Sequence, residues 1–210
     1  MVLFQPHPNL EKLKIRNYPA KKFPDWVGDP SFFNLVSLEL WNCKNCSSLP
    51  PLGQLPSLKH LCIFAVIGVK RLGSEFYRNA SSSITVKPSF PSLQTLRFFH
   101  LPSWEKWLCC GCRHGEFPRL QELYIIQCPK LTGKLPKQLR SLKKLKIISC
   151  PQLHMASLRV QSVNWWWLTM ANCSWKCQLV ALLLFKLQKF KVQTSLSGSN
   201  YQRDCGTSKL

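Results

Sequence analysis

The chain has 210 residues, with 29 Lys and Arg against 9 Asp and Glu for a formal charge of +20, and 11 Cys, 15 Pro and 8 Trp. That length allows one or two domains, and 45% apolar with 18% charged residues gives enough hydrophobe for a core and too little charge for a wholly disordered polyelectrolyte. The +20 directs attention to nucleic acid, an anionic membrane or an acidic protein surface as partner.

Residues 1–6, Met-Val-Leu-Phe-Gln-Pro, hold no basic segment, long apolar run or small-residue cleavage site, so no secretory signal is expected. A cytoplasmic setting, with the nucleus as a second possibility, follows as an expectation. There the 11 Cys would be mostly thiols, an odd number in any case being unable to pair fully. The Asn-x-Ser sequons at Asn45, Asn79 and Asn172 are then accidental.

In chain order, the pattern Leu-x-x-Leu-x-(Leu/Ile/Phe) occurs at Leu10-Leu13-Ile15, Leu35-Leu38-Leu40, Leu58-Leu61-Ile63, Leu93-Leu96-Phe98, Leu120-Leu123-Ile125 and Leu142-Leu145-Ile147. The starts lie 25, 23, 35, 27 and 22 residues apart, mostly within the roughly 20–29 of a leucine-rich repeat. The spacing of 35 reads as a repeat with an insertion, for which the polar run 79–83 is the candidate.

Each x-Leu-x-Leu-x stretch is a short strand of period 2, its Leu side chains turned inward and its x side chains outward. One repeat cannot bury its own apolar face, so stacked repeats are expected to pair their strands in parallel over one continuous core. The fold expected is an α/β-type repeat solenoid, a horseshoe with a short-stranded parallel β-sheet on its concave face and mostly irregular convex loops. Cys43, Cys128 and Cys150 fall where a small polar group would satisfy backbone at the strand-to-loop bend. Tyr18, Val66 and Leu101 take that place in the other repeats and interrupt any polar ladder. Pro19, Pro102, Pro129 and Pro151 follow directly. Proline lacks an N–H and suits a bend where pairing stops, so few convex helices are expected.

Several linked strings carry a family resemblance: Phe23-Pro24-Asp25-Trp26-Val27, the run from Asn34 through Cys43 and Cys46 to LPPLGQLPSLKHL at 49–61, Gly73-Ser74-Glu75-Phe76-Tyr77, and Phe90-Pro91-Ser92-Leu93 through Trp104-Glu105-Lys106-Trp107. Over residues 6–153 the chain resembles the leucine-rich-repeat region of plant coiled-coil-type nucleotide-binding disease-resistance proteins. The resemblance implies a protein-recognition module that senses pathogen effectors or modified host proteins and contacts a nucleotide-binding domain. No G-x-x-x-x-G-K-[ST] phosphate loop is present, so the family's nucleotide switch is not in this chain. The chain starts almost directly in a repeat, and the expectation is a fragment, a truncated product or a partner-dependent remnant.

The repeat region is assigned to residues 1–153. From His154 the repeat stops, and residues 154–210 hold seven basic residues against one acid, with Trp165-Trp166-Trp167, Trp175 and a seven-residue apolar run at 179–185. This segment reads as non-repeat material, irregular or partly helical and poorly ordered. A membrane span over 163–185 is broken by Asn164, Asn172, Ser174, Lys176 and Gln178 and is not expected. The closing Ser208-Lys209-Leu210 spells a peroxisomal address, here read as coincidence.

Hidden chemistry finds little support. Cys43-x-x-Cys46 and Cys109-x-x-Cys112 have the form of two zinc half-sites, but the 62 residues between them far exceed the usual ~15–20. The five His residues sit in no hydrolase or metalloprotease frame. No enzyme activity, metal or cofactor is expected. Lys and Arg are dispersed, in runs no longer than pairs such as Lys21-Lys22, and no nucleic-acid-binding signature accompanies them.

What the repeats do predict is a surface. The outward strand positions read Lys12, Lys14, Arg16; Ser37, Glu39, Trp41; His60, Cys62, Phe64; Thr95, Arg97, Phe99; Glu122, Tyr124, Ile126; and Lys144, Lys146, Ile148. Exposed aromatics between basic ends form a candidate protein-binding face, because rigid rings give contact area at low entropy cost. The contact residues expected are Lys12, Lys14, Arg16, Trp41, Phe64, Arg97, Phe99 and Tyr124. The alternatives are an uncapped relic without independent function and a basic nucleic-acid-binding protein. The repeat region holds 22 basic residues against 8 acids, a net +14 that suits an acidic protein partner.

Overall fold

The computed structural model describes residues 5–78, 88–109, 115–136 and 138–153. The insertion candidate at 79–83, Cys112, and the whole 154–210 segment with its Trp-rich, apolar and Ser-Lys-Leu features lie outside the described residues.

Among the described residues eight strands are formed, β1 (Lys12–Arg16), β2 (Ser37–Trp41), β3 (His60–Phe64), β4 (Arg71–Leu72), β5 (Thr95–Phe99), β6 (Lys106–Trp107), β7 (Glu122–Ile126) and β8 (Lys144–Ile148). The six five-residue strands are those marked by the Leu pattern. They pair in the order β1-β2-β3-β5-β7-β8, all in parallel. Register keeps the repeats in phase, with Leu13 opposite Leu38, Leu38 opposite Leu61 and so on to Leu123 opposite Leu145. A one-residue slip would turn every inward Leu to solvent, and burial of one face forbids it. The described residues therefore form a leucine-rich-repeat solenoid, with few helices among them.

Leu38, Leu40, Ile63, Leu96, Phe98, Leu123 and Ile125 are fully buried on the inner face. On the end strands, Leu13, Leu145 and Ile147 are only half-buried. Both of those strands carry Lys at two outward positions, Lys12 and Lys14 on β1 and Lys144 and Lys146 on β8, and charge of that kind discourages edge-to-edge pairing.

Among the described residues the return segments contain short turns of helix: 3-10 turns at Asp25–Gly28 and Leu52–Gln54, and α1 (Ser74–Tyr77). Pro24 and Pro51 stand at the N-caps of the two 3-10 turns, where a missing N–H is harmless.

Two features fall outside the sequence reading. The first is a smaller parallel ladder in which β4 pairs with β6 and single bridges link Lys106 to Thr132 and Gly133 to Leu153. The second is an aromatic cluster beneath the longest repeat. There Phe76, Tyr77, Phe90, Phe98, Trp104, Trp107 and Phe117 are all buried, with ring centroids 4.7–6.5 Å apart. Phe76, Tyr77 and Phe90 come from the 35-residue repeat and Phe98, Trp104, Trp107 and Phe117 from the one after it, and their close packing fills the interior the two share.

Every long strand ends in the same way. The next residue, Asn17, Asn42, Ala65, His100, Gln127 or Ser149, has φ between 52° and 57°. This left-handed kink turns the N–H of the first five toward the last carbonyl of the following strand, as in Asn17 to Trp41 at 2.9 Å and Gln127 to Ile148 at 2.8 Å. One residue further, the Cys43, Cys128 and Cys150 thiols donate to the carbonyls of Trp41, Ile126 and Ile148, which is the backbone-satisfying role expected of that position.

Candidate protein-binding surface

The parallel, in-phase pairing fixes three rows across the outward face. The first runs Lys12, Ser37, His60, Thr95, Glu122, Lys144 and the second Lys14, Glu39, Cys62, Arg97, Tyr124, Lys146. The third runs Arg16, Trp41, Phe64, Phe99, Ile126, Ile148. All eight residues predicted from sequence as contacts lie on this face. Lys12, Lys14 and Arg16 are exposed, whereas Trp41, Phe64, Arg97, Phe99 and Tyr124 are half-buried. The expectation of exposed aromatics is corrected accordingly, since the rings lean on their neighbours.

The leaning is specific. Trp41 stacks on Phe64 with centroids 4.5 Å apart, and Phe64 on His100 at 6.5 Å. Phe99 pairs with Phe64 in the sheet register. Lys14 and Arg16 from β1 stand over the Trp41 ring at 4.9 and 5.8 Å. Such contacts hold a ring and a cation in place by about 0.5–1 kcal/mol each at exposed sites.

Two matching triads organise the charges. Glu39 accepts the Trp41 indole N–H at 2.9 Å and pairs with Lys14 across the strand. Glu122 accepts the Tyr124 hydroxyl at 3.0 Å and lies 3.9 Å from Arg97, whose guanidinium covers the Tyr124 ring at 5.1 Å. Lys144 covers the same ring at 5.5 Å from the other side. In each triad an acid sits two residues before an aromatic on one strand, and a cation from the preceding strand touches both. Glu39, Glu122, Lys144 and His100 were not among the expected contacts. The one signal for the acids is the spacing Glu-x-(Trp/Tyr), present in β2 and β7 alike.

Cys62 occupies the centre of the second row. Burial, and after it the nearby Glu39 charge, push its thiol up to about 12, so it stays protonated. His60 is pushed below the usual imidazole range by burial and then by Arg97 and Lys59. The face therefore carries a neutral Cys62 thiol among its held rings and ion-paired charges. Cys43 and Cys46 are both buried, each donating to a carbonyl, and among the described residues no cluster of three or more metal-ligating side chains occurs. No helix among the described residues is long and apolar enough to cross a membrane.

Residues 1–66 match the family described as R13L1/DRL21 LRRs. Over 148 residues, 70% of this chain, the sequence is 45% identical to the Arabidopsis thaliana protein named disease resistance RPP13-like protein 1, of which that stretch is 14%. A second Arabidopsis thaliana protein named for disease resistance is 42% identical over 149 residues, 71% of this chain and 10% of its own length. Disease resistance protein RGA2 of Solanum bulbocastanum is 34% identical over 145 residues, 68% of this chain and 14% of its own. The chain thus spans a small part of the relatives it matches. No solved structure matches it.

Proposed function

We propose, the chain being a leucine-rich-repeat protein related to plant disease resistance proteins, that its outward sheet face is the protein-recognition surface of a plant innate-immune receptor. The partners in this reading are pathogen effectors or modified host proteins, and the nucleotide-binding domain of a parent receptor. The observation that carries it is the joined row Arg16-Trp41-Phe64-Phe99, where stacked rings and a cation lie side by side at the strand ends. Aromatics and Arg dominate the binding energy of protein interfaces, and rings already held by neighbours lose little entropy on contact. Contact would centre on Trp41, Phe64 and Phe99, with Lys12, Lys14, Arg16, Arg97 and Tyr124 around them. The module spans residues 1–153, works in the cytoplasm or nucleus, and catalyses nothing.

The test uses the purified chain and a Trp41→Ala/Phe64→Ala/Phe99→Ala variant as baits in extracts of effector-challenged leaf, with Lys21→Ala/Lys22→Ala as control. The reading expects proteins whose capture falls at least tenfold with the triple variant and holds with the control. If every captured protein is indifferent to the triple variant, the surface is wrong.

A further inference from the structure

The charges on the outward face are not evenly spread. β1 presents Lys12, Lys14 and Arg16, and β8 presents Lys144 and Lys146. Between these ends, β2, β3, β5 and β7 contribute Glu39, Arg97 and Glu122, of which Arg97 and Glu122 face each other at 3.9 Å and Glu39 is engaged by Lys14. Trp41, Phe64, Phe99 and Ile126 form an apolar row across the middle, and Ser37, His60, Cys62, Thr95 and Tyr124 fill its other positions, so the face is cationic, then nearly neutral with an apolar row, then cationic again.

We infer that the face takes a segment of a partner protein that crosses the strands and carries acids at both ends of an apolar middle. This rests on the recognition reading above and specifies its ligand. Six strands at a spacing of about 4.8 Å place β1 and β8 roughly 24 Å apart, which an extended chain covers in about seven residues. The ends would meet Lys12 and Arg16 on one side and Lys144 and Lys146 on the other. The middle would lie on the Trp41, Phe64 and Phe99 rings. An acidic patch concentrated at one point would satisfy one end only and leave the other cations facing apolar groups. The arrangement therefore selects for the distribution of negative charge rather than its amount.

The probe is a fluorescein-labelled peptide of roughly twelve residues, with two acids at each end and a Leu-Phe-Leu centre, read by anisotropy on the full chain near physiological salt. Its comparator is the isomer with all four acids gathered at one end, identical in composition and charge. The split-acid peptide is expected to bind at least tenfold more tightly. A Lys144→Glu/Lys146→Glu variant should lose that preference and take up a third peptide with one acidic and one basic end. Circular dichroism reports whether the variant is folded, and the isomer comparison on the unmodified chain decides the matter even if it is not. Equal binding of the two isomers, or binding of neither, overturns the inference. If the isomers bind equally while partner capture still depends on Trp41, Phe64 and Phe99, recognition by the face stands and only the charge pattern fails.

Discussion

Trp107 donates its indole N–H to the Tyr77 hydroxyl at 2.7 Å, joining β6 to the end of α1 across 30 residues of sequence inside the aromatic cluster. Both rings are buried, and large amphipathic rings are tolerated there when their polar tips find each other. Burial holds the Tyr77 phenol well above its usual range, so it stays protonated at any ordinary pH while its oxygen accepts the indole N–H.

Tyr77→Phe removes that acceptor and leaves an indole N–H buried without a partner. The expected cost is about 1–3 kcal/mol, measured as a fall in the urea midpoint at unchanged slope. An unchanged midpoint would mean that the pair contributes only packing.

Gly53, within the LPPLGQLPSLKHL string, touches the same place. A Cβ there would press on the Tyr77 carbonyl oxygen and stand 2.9 Å from its Cα, and backbone cannot yield as a flexible side chain can. Gly53→Ala is expected to destabilise by about 1–3 kcal/mol, the usual range for overpacking, and to lower the thermal midpoint by several degrees in a melt followed by circular dichroism.

The left-handed residues after each strand predict opposite signs at equivalent positions. Ala65 adopts φ 52° with no side-chain compensation, and the left-handed region costs an L-residue roughly 1–2 kcal/mol. Ala65→Gly should therefore stabilise, by less than about 1 kcal/mol once glycine's added chain entropy is counted. Asn42 takes the same φ but donates to the Asn17 side chain at 2.7 Å, so Asn42→Ala should destabilise by about 1 kcal/mol. Denaturant titration of the two variants side by side checks the pair of signs.

Thiol reactivity should divide by environment. Cys46 and Cys62 are pushed up to about 12, so at pH 8 each is a thiolate in roughly one molecule in ten thousand. Cys150 is held below its ordinary value, chiefly because Cys128 hydrogen-bonds to it, while burial pushes Cys128 well up. Iodoacetamide labelling mapped by peptide mass spectrometry should reach Cys150 before Cys128 and Cys62. Its rate at Cys62 should climb about tenfold per pH unit beyond the point where Cys150 has levelled off. Labelling of Cys62 ahead of Cys150 would contradict these environments.

The six long strands, their register and the outward rows were legible in sequence because period-2 Leu spacing and repeat phase are both local signals. The β4–β6 ladder was not, since two-residue strands carry no period and Arg71 and Lys106 are brought together only by the stacking. The aromatic cluster escaped for a similar reason: Phe76 comes from the return between β3 and β5, Trp104 and Phe117 from the one between β5 and β7, and no spacing announces their meeting. At the surface, the rows were readable and their internal pairing was not. Lys14 meets Glu39, and Arg97 meets Glu122, each 25 residues apart, so the neutralised charges become visible only once adjacent repeats are laid side by side. Asn17, Asn42 and His100 are of residue types enriched in the left-handed region, but Ala65, Gln127 and Ser149 adopt it without that signature.

The uniform turn and the fixed register have a genetic consequence. Each strand forms its ladder bonds with its neighbours alone, and spacings of 22–35 residues are absorbed in the returns without disturbing the sheet. A stretch of coding sequence running from one turn to the next can thus be duplicated, lost or exchanged between gene copies by unequal crossing-over, and the product will still meet its neighbours in phase. The inward Leu set is common to the exchanged units, while the three outward residues of each strand travel with the unit as a cassette on which selection can act.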